Sequence, residues 1–127
     1  MLKRHAHKVG AALYVVWGLL HLRAAYEVYQ LASQLSERSM VSGRIVQDAW
    51  NLGWIALFAI VVAIWLNWRN SSVGYWSNLV VVSLTDIGFI LTILLPGYVA
   101  LVPGLMGPIT WILAVIFSTM GLLQKKT

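Results

Sequence analysis

Apolar residues run along this chain in four long blocks separated by short polar stretches. A helix that crosses a bilayer needs about 20 mostly apolar residues at 1.5 Å each. Four segments qualify, roughly 9–30, 47–66, 77–95 and 105–123. Pro96 and Gly97 stop the third, since proline cannot donate the next helical hydrogen bond. Pro108 falls in the first turn of the fourth, where a missing N–H costs little. The connections "SQLSERSMVSGR", "NWRNSSVGYW" and "PGYVALVPG" are short, and short connections make consecutive spans antiparallel neighbours. The pattern predicts one all-α domain over 1–127, an integral membrane up-down four-helix bundle.

Turning each span at 100° per residue sorts its positions into faces. On the first, Gly10, Tyr14, Trp17, Gly18, His21, Ala24, Ala25 and Val28 share a stripe. Small residues with interleaved aromatics are what a membrane helix presents to its neighbours. Val15, Leu19 and Leu22 lie opposite and face lipid. Arg23 points away from His21; it is expected to snorkel to the interface and pair with Glu27, four residues on. On the second span Gln47, Asp48, Asn51, Trp54, Ile55 and Phe58 fall together, with Trp54 expected as a pocket wall. On the third, Asp86 aligns with Val82, Ser83 and Phe89, while Asn78, Thr85 and Thr92 form a second stripe. These faces converge in the half of the bundle away from the termini. The other halves of spans two and four, "FAIVVAIWL" and "ILAVIFSTMGLL", are nearly all apolar.

Composition supports the membrane assignment. The chain is 60% hydrophobic and 10% charged, against about 25% charged in soluble domains, and its mean hydropathy is +0.78. The absence of cysteine excludes disulfides, thiolate metal sites and Cys nucleophiles. The net charge of +5 is read as topology rather than as a nucleic-acid signal, because Lys and Arg concentrate in cytoplasmic loops. Lys3, Arg4, Lys8, Arg69, Lys125 and Lys126 lie on the side of the termini; Arg38 and Arg44, with Arg23 nearby, lie on the other. Both termini are therefore expected in the cytoplasm, in a multi-pass protein of the cell inner membrane. The "KRHAHK" segment before an apolar run imitates a signal peptide, and we take it as the start of an uncleaved first helix. Trp68, Tyr75 and Trp76 fit an aromatic belt at one interface, and Tyr26, Tyr29, Trp50 and Tyr98 at the other.

The candidate chemistry is narrow. An aspartate near the bilayer centre costs roughly 2.5–3.5 kcal/mol on insertion scales and is a functional candidate by default. Asp86 is that residue, and His21 is the one histidine inside a span. They form the candidate acid/base pair; the alternative is a hydrogen bond that fastens two helices. Tyr14, Trp17, Asp48, Asn51, Trp54, Ser83 and Phe89 are the candidate ligand-binding residues. No phosphate loop, G-x-S-x-G or H-E-x-x-H motif is present, and no ligand spacing supports a metal site.

The segments "HLRAAYE", "AWNLGW" and "DIGF" resemble small four-span families, the DoxX-like proteins and the styrene-oxide isomerases. The resemblance implies a compact bundle with a polar pocket among apolar helices. In the isomerases a histidine at the start of helix two holds haem. Here that region reads "RIVQDAW" and has no histidine, so the cofactor stays open. The expected function is binding of a lipophilic small molecule in a polar pocket, with acid/base, isomerase-like chemistry. The alternative is a non-catalytic subunit of a membrane complex, or a proton-coupled transporter protomer acting as a dimer. The partners expected are membrane lipids, the lipophilic molecule and a second copy of the chain.

Overall fold

The computed structural model describes residues 3–125; Lys126, one of the cations counted above, lies outside them. Every regular element among the described residues is helical. After a 3-10 turn at Lys3–His5, the long helices are α1 (Ala6–Ser33), α2 (Met40–Trp65), α3 (Ser72–Phe89) and, after the short α4 (Leu101–Gly104), α5 (Met106–Lys125). A 3-10 turn at Asn67–Arg69 extends α2, and a π-helical turn at Ile90–Leu94 extends α3. With these extensions, four helices are long and apolar enough to cross a membrane.

α1 packs against α2 and α5, and α3 packs against the same two helices. The four therefore close a ring with α1 and α3 on opposite corners. Small residues allow the approach. Ser118 of α5 sits where a side chain on Gly10 would be, and Ile60 and Ala56 of α2 close over Gly18. At one end of the bundle His7 abuts Gly121, so the start of α1 and the end of α5 meet. The α2–α3 turn joins them there. Asn70, in the left-handed conformation at φ 55°, donates its amide to the Gly121 carbonyl at 2.8 Å, and Lys125 reaches the Asn70 carbonyl at 3.3 Å. We call this the terminal end, and the opposite one the hairpin end.

The α1–α2 connection is shorter than the sequence suggested. Helix α2 begins at Met40, not near Gln47. Ser39 and Ser42 form a reciprocal capping box, Ser42 N–H to Ser39 Oγ at 3.3 Å and Ser39 N–H to Ser42 Oγ at 2.9 Å, which starts the helix one heptad early. In contrast, α5 begins at the depth of His21, because Gly107 in its first turn adjoins the His21 ring. Beyond that depth the α1–α2 hairpin continues without α5 beside it.

The core holds Tyr14, Trp17, Ala59, Ala63, Val82 and Ala114, with Trp111 packed against it. Of the stripe expected on α1, Gly10, Tyr14, Trp17, Gly18, His21 and Ala25 are inside while Ala24 and Val28 are half-buried, and Val15, expected towards lipid, packs against the core. The face expected on α2 is not the buried one. Its buried residues are Ala49, Ala56, Ala59, Val62 and Ala63, while Asp48, Asn51 and Trp54 are exposed. The physical reason is close packing. Without a water-driven force between helices in lipid, the face that buries is the one whose small side chains let backbones approach.

Candidate functional site

His21, Trp17 and Asp86 form one buried cluster at the meeting of α1, α3 and the first turn of α5. His21 lies one helical turn after Trp17, so the two rings stack, with centroids 3.8 Å apart and planes inclined by 22°. The His21 Nδ1 stands 2.8 Å from the Trp17 carbonyl oxygen. A carbonyl only accepts, so Nδ1 carries a hydrogen and donates it. The other ring nitrogen, Nε2, faces Asp86 Oδ1 at 3.3 Å. The second carboxylate oxygen, Oδ2, accepts the Trp17 indole N–H at 3.0 Å.

The 3.3 Å approach of Nε2 to Oδ1 is an ion-pair distance, and Oδ1 makes no hydrogen bond within the protein. Burial makes the arrangement consequential: Asp86 is 0% exposed and His21 9% exposed. Trp17 orients both partners at once, through its ring face, its carbonyl and its N–H. Gly107 fits against them because it lacks a side chain. A Cβ there would stand 3.0 Å from His21 Cε1, 3.5 Å from Nε2 and 3.9 Å from Asp86 Oδ1.

The other candidates divide. Tyr14 is fully buried one turn towards the terminal end. Ser83 accepts the indole N–H of Trp111 at 2.9 Å, so its hydroxyl ties α3 to α5. Phe89 is half-buried one turn beyond Asp86 on α3. Asp48, Asn51 and Trp54, the last 51% exposed, do not reach the cluster. Their expected place in a pocket is corrected: they sit on the outward face of α2. Trp17 is a hydrogen-bond donor packed into the core. Two surface hollows, a groove lined by Met40, Arg44, Gln47 and Trp50 and a narrow crevice lined by His7, Asn67, Tyr75 and Ser118, do not touch His21 or Asp86. Among the described residues no three His, Asp or Glu side chains gather in a way that would hold a metal ion.

Sequence reasoning missed Gly107 and the donor role of Trp17. The first had a signal, the Gly107-Pro108 pair at the opening of a helix; the second had none, because helical periodicity gives a face and not the direction of an indole N–H. Compared with protein-family models, curated protein sequences and solved structures, the chain matches none.

Proposed function

We propose that this protein binds a lipophilic small molecule within the membrane and exchanges a proton with it through the His21–Asp86 pair, an acid/base, isomerase-like chemistry. The observation that carries this reading is the 3.3 Å contact between His21 Nε2 and Asp86 Oδ1, with Nδ1 already committed to the Trp17 carbonyl. Such a pair takes a proton on one side and gives it on the other without a change in its neighbours. His21 keeps 9% of its surface exposed, and Gly107 at the start of α5 adjoins its ring. A molecule dissolved in the bilayer reaches that surface without crossing water. Ser83 and Phe89, on α3 near Asp86, are the remaining candidates for contact with it.

In this reading the termini are cytoplasmic, on the strength of the Lys and Arg distribution. A reporter fused after Thr127 is then active only inside the cell. The function is tested by extracting the protein in mild detergent and identifying copurifying lipophilic molecules by mass spectrometry. Wild type retaining a molecule that His21→Gln loses supports the reading. Equal retention, or none, in both proteins counts against it.

A second reading, a proton-coupled transporter protomer acting as a dimer, draws on a further buried polar layer at Tyr14, Asn78 and Ser118. It requires pH-dependent uptake by vesicles containing the protein, abolished by Asp86→Asn.

A further inference from the structure

Between the His21–Asp86 pair and the terminal end, the core contains polar residues that the pair does not use, and three of them leave an oxygen unpaired. Tyr14 and Asn78 are 0% exposed and Ser118 is 4% exposed. One oxygen of each, Tyr14 Oη, Asn78 Oδ1 and Ser118 Oγ, has no hydrogen-bond partner in the protein. Native interiors pair nearly all their buried polar atoms, so three orphans in one region of a small bundle call for a guest.

The helices bring the three to neighbouring positions. Ser118 of α5 seats against Gly10, one turn before Tyr14 on α1. Asn78 of α3 donates its amide to the Ala59 carbonyl at 3.1 Å and to Asn67 Oδ1 at 3.0 Å. Ala59 in turn belongs to the same core cluster as Tyr14. The crevice noted above leads to this layer from the terminal end. Its walls include Ser118 and Asn67, with Asn70, Ser71, Tyr75 and His7. On the far side Trp17 is fully buried and lies between Tyr14 and His21 along α1.

The chemistry of the orphans selects the guest. The Tyr14 and Ser118 hydroxyls donate and accept, whereas an amide oxygen only accepts. The guest must therefore donate to Asn78 and bond to hydroxyls in either sense. A simple anion such as chloride has no donor, and a hydrocarbon has neither function. None of the three residues is charged, which leaves a cation without a counter-charge. Water satisfies all three requirements, and buried water is ordinarily found where polar atoms lack protein partners.

We infer that Tyr14, Asn78 and Ser118 form a buried hydration site, filled from the terminal end, with Trp17 between it and His21 along α1. As it stands the crevice has no room for a whole water molecule, so filling requires a lining side chain such as Tyr75 to turn aside. The site stands on its own observations and not on the lipophilic-ligand reading.

The chain has no cysteine, which allows a direct test. The near-isosteric Ser118→Cys places one thiol in the layer, and Ala114→Cys places one a turn deeper on the same helix, at a fully buried position in the apolar core. Transfer to D2O is followed through the S–H infrared band. Loss of the S–H band in Ser118→Cys, with its retention in Ala114→Cys, is the expected result. Retention in both, or equally fast loss in both, overturns the inference. Thermal unfolding of Tyr14→Phe gives a second measurement. Removing a hydroxyl bonded to water lowers the midpoint, as expected here; removing an orphan raises it, and a rise overturns the inference.

Discussion

His21 and Arg23 are two residues apart on α1, yet His21 is 9% exposed while the side chain of Arg23 is 80% exposed. Two residues turn a helix by about 200°, so consecutive ionisable groups fall on opposite faces. Each finds a carboxylate. His21 meets Asp86 of α3 across the bundle at 3.3 Å, and Arg23 meets Glu27 one turn along its own helix at 3.1 Å. The distances are similar and the consequences differ. The first pair joins distant parts of the chain in a place without water. The second is local and lies on the outer surface of α1, where Glu27 is itself 59% exposed. What separates them is not residue type or spacing but what surrounds them.

The strongest way to break the contrast is to remove one buried partner. Asp86→Ala leaves the buried Trp17 N–H without its acceptor and His21 without its carboxylate partner, and should cost about 3–5 kcal/mol, the usual price of orphaning half of a buried pair. Reversible unfolding in detergent measures it. Asp86→Asn keeps the shape and should fold. A smaller loss, about 1–3 kcal/mol, is expected for Trp17→Phe, which keeps a ring over His21 and deletes the N–H to Asp86 Oδ2. The imidazole nitrogen resonances of His21 should shift as its partner loosens.

Gly107→Ala comes next. Its Cβ would press on His21 Cε1 at 3.0 Å, an overpacking of about 1–3 kcal/mol, partly offset by about 1 kcal/mol of helix propensity. Gly43→Ala in α2, where nothing lies within 4 Å, isolates the propensity gain and should stabilise. The smallest effect belongs to the exposed pair. In a double-mutant cycle on Arg23→Gln and Glu27→Gln, a coupling near 0.3–0.5 kcal/mol is expected. A coupling several times larger would mean that the pair is not solvated and that the contrast with His21–Asp86 fails.

The four spans and the α1 face were legible because Tyr14, Trp17, Gly18 and His21 recur at helical spacing with lipid-facing Leu19 opposite. The His21–Asp86 pair was legible because those residues are ionisable, deep and inward. The α2 face was not. Ala49, Ala56, Ala59 and Ala63 are less hydrophobic than exposed Leu57, Val61 and Ile64 on the same helix, so hydropathy did not mark them as the buried face, and the polar side chains of Asp48 and Asn51 drew the assignment to the wrong one. In lipid, the size of a side chain sorts inside from outside better than its polarity does. Asn78 was read only as part of a stripe with Thr85 and Thr92, and Ser118 lies in a run taken as nearly all apolar, so the sequence did not bring either to the Tyr14 layer.

The helices are unequal in length: α1 has 28 residues and α5 has 20, about 42 Å against 30 Å. The molecule is therefore sensitive to bilayer thickness. A hydrocarbon layer that grows from about 27 Å to about 33 Å advances roughly 3 Å at each face, or two residues of helix. At the hairpin end that advance carries lipid along α1 towards Arg23 and Glu27. Their water thins, their attraction strengthens, and the penalty for losing either one grows. In a thick membrane the exposed pair moves towards the energetic regime of the buried one, and the Arg23–Glu27 coupling measured in vesicles of different acyl-chain length should rise with the length of the chains.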